Sequence, residues 1–329
     1  MQAFPAIAFG LPSLMDTPFA KSQYQFNEWH GLAKILSDYQ YKTSFFHAAE
    51  AGSMYFDNMA YLSGVKDYYP MEKYPHPEKD FDGHWGIFDE PFLQFAKNKF
   101  DTFEPPFFSI FFSLSSHQPY AIPDKYQGRF PKGNHPIAET IAYTDHALRE
   151  FFQAAKSSPW YKNTLFIITA DHTQMGPSHG YESITGRYMV PILFFHPDKD
   201  LKMETIRIAQ HADIEPSILD YLGLKEEPSL KFGSSLFAKN EGRAIFYANS
   251  TYRMVKDKQV IEWNRVKDEF MLYEFQQEPK TLSSPTKISP KDDLAMELKA
   301  FVSYHDEGLA KNCLYKKKCI NSYEHVAFE

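Results

Sequence analysis

An aspartate followed directly by a histidine, Asp171-His172, closes the apolar run Thr164-Leu-Phe-Ile-Ile-Thr-Ala170. A carboxylate beside a neutral imidazole supplies two acceptable ligands for a divalent metal such as Zn2+ or Mn2+. Taken alone, the dipeptide is also what a surface turn offers, since turns favour Asp. Its position changes the odds. A β-branched, apolar run without polar alternation predicts a parallel strand buried on both faces. Open α/β sheets gather ligands just beyond the carboxyl ends of such strands. A second run, Phe107-Phe-Ser-Ile-Phe-Phe-Ser-Leu114, leads into Ser115-Ser116-His117. If both strands are central and parallel, His117, Asp171 and His172 emerge at one edge of the sheet. A histidine there, outside the metal's ligands, can hold a phosphate or protonate a leaving oxygen.

The elements that must position these residues alternate. Trp29 to Tyr39 reads as an amphipathic helix, followed by a strand at Tyr41 to His47. Phe92 to Phe100 and Ala138 to Lys156 have helical spacing, the second with Ile141, Leu148, Phe151 and Phe152 on its apolar side. Val190 to Phe195 is another strand, and Asp213 to Leu222 a short helix closed by Gly223 as a left-handed cap. This rhythm predicts an α/β fold whose mostly parallel central sheet is flanked by helices, over residues 1–240. Four short strands without helices between them then predict a small antiparallel subdomain over 241–281. Residues 282–329 read as a Pro/Ser/Lys-rich linker, a terminal helix from Asp292 to Leu309 and a basic tail.

Bulk properties exclude several classes. A formal net charge of -7 argues against general nucleic-acid binding, which needs a basic face. No apolar stretch approaches the roughly 18 residues that span a bilayer. The first ten residues lack the basic flank of a signal peptide, so no targeting segment is read in this chain. Thirty Phe and twenty-one Tyr point to broad aromatic packing and an aromatic-lined cleft. Cys313 and Cys319 are either a local disulfide or two unpaired thiols.

Several segments, in order over residues 1–275, resemble one family. They are Phe4-Pro-Ala-Ile-Ala-Phe-Gly-Leu-Pro-Ser-Leu-Met-Asp-Thr-Pro18, Phe45-Phe-His-Ala-Ala-Glu-Ala-Gly-Ser-Met54 and Asp80-Phe-Asp-Gly-His-Trp-Gly-Ile-Phe-Asp-Glu90. Leu114-Ser-Ser-His-Gln-Pro119, Ala170-Asp-His-Thr173 and Gln210-His-Ala-Asp-Ile-Glu-Pro-Ser-Ile-Leu-Asp220 complete the set. Together they resemble the extracellular domain of lipoteichoic-acid-synthase-type phosphoglycerol transferases, in the sulfatase/alkaline-phosphatase superfamily. The resemblance implies one divalent metal, expected to be Mn2+ with Zn2+ or Mg2+ as alternatives. Asp171 and His172 match the family's Asp-His metal pair. His117 matches the histidine that contacts the phosphate-bearing head group. Trp85 stands as an aromatic wall of that pocket, and His47 lies near the same edge. The implied substrate is a phospholipid or glycan head group at the extracytoplasmic face of a bacterial cytoplasmic membrane.

In that family a threonine, activated by the metal, attacks the phosphodiester in line and forms a covalent intermediate that an acceptor hydroxyl or water resolves. No threonine of this chain matches it; Thr17 and Thr173 lack the context. The nucleophile, the first strand with its acidic ligand, and the membrane helices are expected upstream of Met1. The chain therefore reads as a truncated portion of such an enzyme, expected not to turn over alone. The rivals are an arylsulfatase, a phosphoethanolamine transferase, and a non-catalytic head-group-binding pseudoenzyme. Among the other candidates, His179 and His84 could reach the cleft, Arg187 reads as a salt-bridge partner with a bidentate contact to a substrate phosphate as the alternative, His211 reads as structural, and His76, His135 and His146 read as solvated surface.

Overall fold

The computed structural model describes residues 3–173, 181–201, 207–224, 232–239, 241–276 and 281–315. The chain divides into two compact units, one of residues 33–166 and 195–200, the other of residues 1–32, 167–194 and 201–329. Elements are numbered in chain order: helices α1 (Ala3–Phe9), α2 (Leu32–Asp38), α3 (Phe56–Leu62), α4 (Pro77–Asp80), α5 (Asp89–Phe100), α6 (Ile137–Ala155), α7 (Ile214–Leu222) and α8 (Asp293–Ala310). The strands are β1 (Lys42–His47), β2 (Asp67–Tyr69), β3 (Phe107–Phe112), β4 (Phe166–Thr169), β5 (Ile192–Phe195), β6 (Arg243–Ala248), β7 (Thr251–Lys256), β8 (Gln259–Asn264), β9 (Glu269–Glu274) and β10 (Thr286–Ile288).

The unit built on residues 33–166 holds a parallel sheet of order β2-β1-β3. Central β1, with a neighbour on each side, is buried from Thr43 to His47; β3 and β4 are only half-buried. Phe46, fully buried in β1, stacks on Tyr69 at 4.4 Å and meets the edges of Phe95 and Phe100 from α5. Each phenylalanine buried this way contributes about 2–3 kcal/mol of transfer free energy. Asp89 and Glu90 open α5 and Lys97 and Lys99 close it, the order that suits the helix dipole. On α6 the buried face is Thr140, Tyr143, His146, Ala147, Phe151 and Ala155, whereas Ile141 is 53% exposed. His146 is thus a core residue rather than the solvated one expected: its Nε2 lies 3.1 Å from the Tyr126 hydroxyl and its ring packs on Tyr126 and Phe130.

In the other unit the four expected C-terminal strands, joined by β10, form a five-stranded antiparallel sheet of order β10-β9-β8-β7-β6. Ile245, Met254, Ile261, Trp263 and Phe270 are buried, and α8 packs on β7 and β8 through a stripe that includes Leu298, Phe301 and Val302. β10 falls inside the stretch expected to be a linker: Thr286, Lys287 and Ile288 pair with Leu272, Met271 and Phe270. Its three residues sit at the sheet's edge with Pro285 and Pro290 flanking them, the position in a sheet that tolerates proline. Gly223 closes α7 at φ 65°, the expected left-handed cap. α8 also holds the N-terminal segment, His305 Nε2–H donating to the Pro12 carbonyl at 3.0 Å and the Asn27 amide to the Leu309 carbonyl at 2.8 Å. Cys313 is buried and disulfide-bonded; Cys319 and His179 lie outside the described residues. Among the described residues no helix is long and apolar enough to cross a membrane.

Candidate active site

Past the end of β4, Asp171 and His172 stand on a short bend. The backbone before them is pinned. Thr169 donates its hydroxyl to the Pro191 carbonyl at 2.8 Å, and His211 Nε2–H donates to the Ala170 carbonyl at 2.9 Å. Burial lowers the pKa of His211, which suits a neutral structural donor, the role expected of it. Beyond the pair, the Thr173 hydroxyl donates to the Arg187 carbonyl, and Arg187 Nε donates to the Glu182 carbonyl at 3.1 Å.

The His172 ring is held by one contact that decides its tautomer. Nδ1 lies 2.9 Å from the Thr173 carbonyl, which can only accept, so Nδ1 carries the hydrogen. Nε2 is left with its lone pair, 3.4 Å from Asp171 Oδ2. A carbonyl on one nitrogen and a free lone pair on the other is how metal-binding histidines are oriented. With metal–ligand bonds of about 2.1 Å, two neighbouring donors stand about 3.0–3.4 Å apart, the octahedral and tetrahedral limits. The donor types of Asp171 and His172 and their 3.4 Å spacing are compatible with a divalent ion. Among the described residues no group of three or more His, Cys, Asp or Glu side chains forms a complete metal cluster.

The other unit carries Trp85 and His117 as a pair. Their rings meet edge to face with centroids 4.3 Å apart, and the Trp85 indole N–H donates to the Gln118 carbonyl. His117 is exposed and Trp85 half-buried. The Trp85 loop is shaped by Asp82, whose Oδ1 accepts from the backbone N–H groups of His84 (2.7 Å), Trp85 (2.7 Å) and Gly86 (3.2 Å). Gly86 then lies against β1's continuation, where a Cβ would fall 2.2 Å from the Ala48 carbonyl oxygen. Gly86→Ala is accordingly expected to cost about 1–3 kcal/mol and to push Trp85 outward. Thermal unfolding and Trp85 emission check it; unchanged values for both would refute the packing account.

The turn that carries His117 is fixed by Asp89, which is 1% exposed. Its Oδ1 accepts from the N–H groups of Leu114 (2.9 Å) and Ser115 (3.2 Å), and its Oδ2 from the Thr144 hydroxyl (2.8 Å). Burial pushes the Asp89 carboxyl up, against those donors. Neither Asp82 nor Asp89 stood out in the sequence, where each is an ordinary turn or helix-start acid.

His47, at the end of β1, is fully buried. Its ring packs against Phe45, Phe56 and Phe112, and its Nδ1 is 3.2 Å from the Tyr68 hydroxyl. Burial, helped by Asp57 and Glu72, keeps that hydroxyl protonated and donating, so the neutral His47 ring carries its hydrogen on Nε2. Nε2 has no hydrogen-bond partner among the described residues. The strands bearing the other two groups, β3 and β4, belong to separate ladders and to separate units.

A family profile described as sulfatase matches residues 4–224, well over half of the chain. The chain belongs to the sulfatase family. Among curated relatives of this sulfatase, a lipoteichoic acid synthase-like protein of Bacillus subtilis, YvgJ, is 27% identical over 248 residues, covering 69% of this chain and 40% of its own length. The lipoteichoic acid synthase of Staphylococcus aureus is 24% identical over 245 residues, 69% of this chain and 38% of its own. The chain thus spans about two fifths of the length of these relatives. Among solved structures, an alkaline phosphatase superfamily protein of Vibrio parahaemolyticus superposes with a TM-score of 0.83 at 22% identity, over 96% of this chain and 76% of that one. Lipoteichoic acid synthase LtaP of Listeria monocytogenes follows with 0.76 at 16% identity, over 94% and 79%. These superpositions establish the fold: an α/β architecture with a parallel sheet, helices and a C-terminal antiparallel sheet.

Proposed function

We propose that this sulfatase-family chain is the metal- and head-group-binding part of a phosphoglycerol transferase acting on phospho-esters of cell-envelope lipids or glycans, at the extracytoplasmic face of a bacterial cytoplasmic membrane. The observation that carries the reading is the Asp171–His172 pair, with its fixed tautomer and a donor separation of 3.4 Å. The names of the relatives support the phosphoglycerol branch over an arylsulfatase. Asp171 and His172 would hold one divalent ion, with Mn2+ preferred over Zn2+ or Mg2+. Once bound, that ion would supply Lewis-acid polarisation of a phosphoryl oxygen.

The remaining roles fall to the chain's own side chains. His117 is exposed and oriented by its Nδ1–H contact to the Gln118 carbonyl at 3.0 Å, so that Nε2 faces outward and, in the imidazolium form, would donate to a phosphate or leaving oxygen. Trp85 offers an aromatic wall to the glycerol carbons. His47, expected at the same edge, is fully buried among Phe45, Phe56 and Phe112 and is given no head-group contact. No nucleophile is assigned within the described residues.

Calorimetric titration with sn-glycerol 3-phosphate, with and without Mn2+, tests the proposal. We expect Trp85→Ala and His117→Ala each to weaken binding by about tenfold, in line with losing about 1–2 kcal/mol of contact. Binding that ignores both substitutions would contradict the assignment. Full-strength binding without any metal would favour a non-catalytic binding module instead.

A further inference from the structure

Asp89 ties three elements together at a place where the fold alone asks for less. It is the first residue of α5, and a carboxylate there serves the helix dipole while remaining in water. Here it is buried instead, and its side chain turns back onto the end of β3. Leu114 N–H and Ser115 N–H converge on Oδ1, while the Asp89 N–H donates to Ser115 Oγ at 3.0 Å, so the turn is gripped from both sides. On the far side Oδ2 takes the Thr144 hydroxyl of α6, which also lies 3.1 Å from Ser116 Oγ. The turn so held runs directly into His117, whose N–H donates to the Leu114 carbonyl at 2.9 Å. The Trp85 indole in turn meets the His117 ring and donates to the Gln118 carbonyl.

We propose that Asp89 is a positioning residue for the Trp85–His117 pair: through the Leu114–Ser116 turn it sets where the imidazole stands and where the Gln118 carbonyl meets the indole. A buried carboxylate is expensive unless its oxygens are filled, and filling them from the end of β3 and from α6 offsets that cost with a fixed turn. The inference rests on the head-group role given to Trp85 and His117, but the geometry it concerns can be read without any ligand.

The test uses the whole chain with Asp89→Asn and Thr144→Val. Asparagine keeps the acceptor for Leu114 and Ser115 and replaces a carboxylate oxygen with an NH2 group facing Thr144. Valine keeps the shape of Thr144 and removes the hydroxyl. The readout is the indole Nε1–H proton resonance of Trp85, assigned by its loss in Trp85→Phe, with its solvent-exchange rate. Both substitutions should shift this resonance toward that of a free indole and speed its exchange, and weaken sn-glycerol 3-phosphate binding by about tenfold, the scale of losing a supporting contact. Should Asp89→Asn fail to fold, Thr144→Val decides. A folded variant whose Trp85 resonance and exchange match the unsubstituted chain overturns the proposal. If the unsubstituted chain binds no glycerol phosphate, the head-group reading fails, and the Trp85 resonance still decides the role of Asp89.

Discussion

Asp171→Asn should reduce Mn2+ affinity by about a hundredfold or more, and His172→Gln should do nearly as much. The reason is electrostatic as well as geometric. The amide keeps the shape of the carboxylate but removes its full negative charge from beside the ion, where attraction per unit charge is greatest. Loss of mere supporting contacts around metal ligands already costs about 10–100-fold in affinity, so losing a ligand should exceed that. Thr173, whose carbonyl sets the His172 tautomer, contributes through its backbone, so Thr173→Ala should leave the affinity within a few-fold. Calorimetry and Mn2+ electron paramagnetic resonance measure both effects. An Asp171→Asn chain that binds Mn2+ as well as the unsubstituted one would show that the ion is held elsewhere.

The second large effect is on stability and comes from His47. Burial lowers its pKa from 6.5 to about 4 in the folded state. A histidine with a lowered folded pKa leaves the unfolded chain binding more protons between those two values. Stability is therefore fully present above about pH 6.5, falls as the pH drops towards 4, and falls no further from this group below that. Over the window the loss amounts to about 3 kcal/mol. Asp57 and Glu72 act on the neighbouring Tyr68 hydroxyl, whereas burial is what lowers the pKa of His47. His47→Phe, which suits the box formed by Phe45, Phe56 and Phe112, should abolish this part of the acid sensitivity. Urea unfolding at pH 7.5, 5.5 and 4.5 reads it directly. Parallel loss of stability in the two chains over that range would mean that His47 is not the titrating group.

Much of the fold was legible because its signals are local. The continuous apolar runs marked β3 and β4, Gly223 marked the end of α7, and four short segments without helices between them marked the C-terminal sheet. What was missed depends on who sits opposite. β10 is three residues long and hides between prolines; only its pairing with β9 makes it a strand. His146 was read from its chemistry as surface, although its spacing from Tyr143 and Ala147 puts it on the buried face of α6. Ile141 was read from its chemistry as core and faces outward. In both cases helical position outranks side-chain type.

The candidate site divides in the same way. Asp171 and His172 could be named from sequence because a strand end and a metal-ligand dipeptide coincide. The tautomer of His172 could not, since it is set by a carbonyl contact. The partnership of Trp85 with His117 joins residues 32 positions apart in the chain, and Asp82, Gly86 and Asp89 support it through contacts that their residue types alone do not reveal.

The most direct measurement is an anomalous-scattering map at the manganese absorption edge, from crystals of this chain grown with Mn2+. The account predicts a peak about 2.0–2.3 Å from both an Asp171 carboxylate oxygen and His172 Nε2. A well-occupied peak on other residues, or none at Asp171 and His172 at saturating Mn2+, would contradict it.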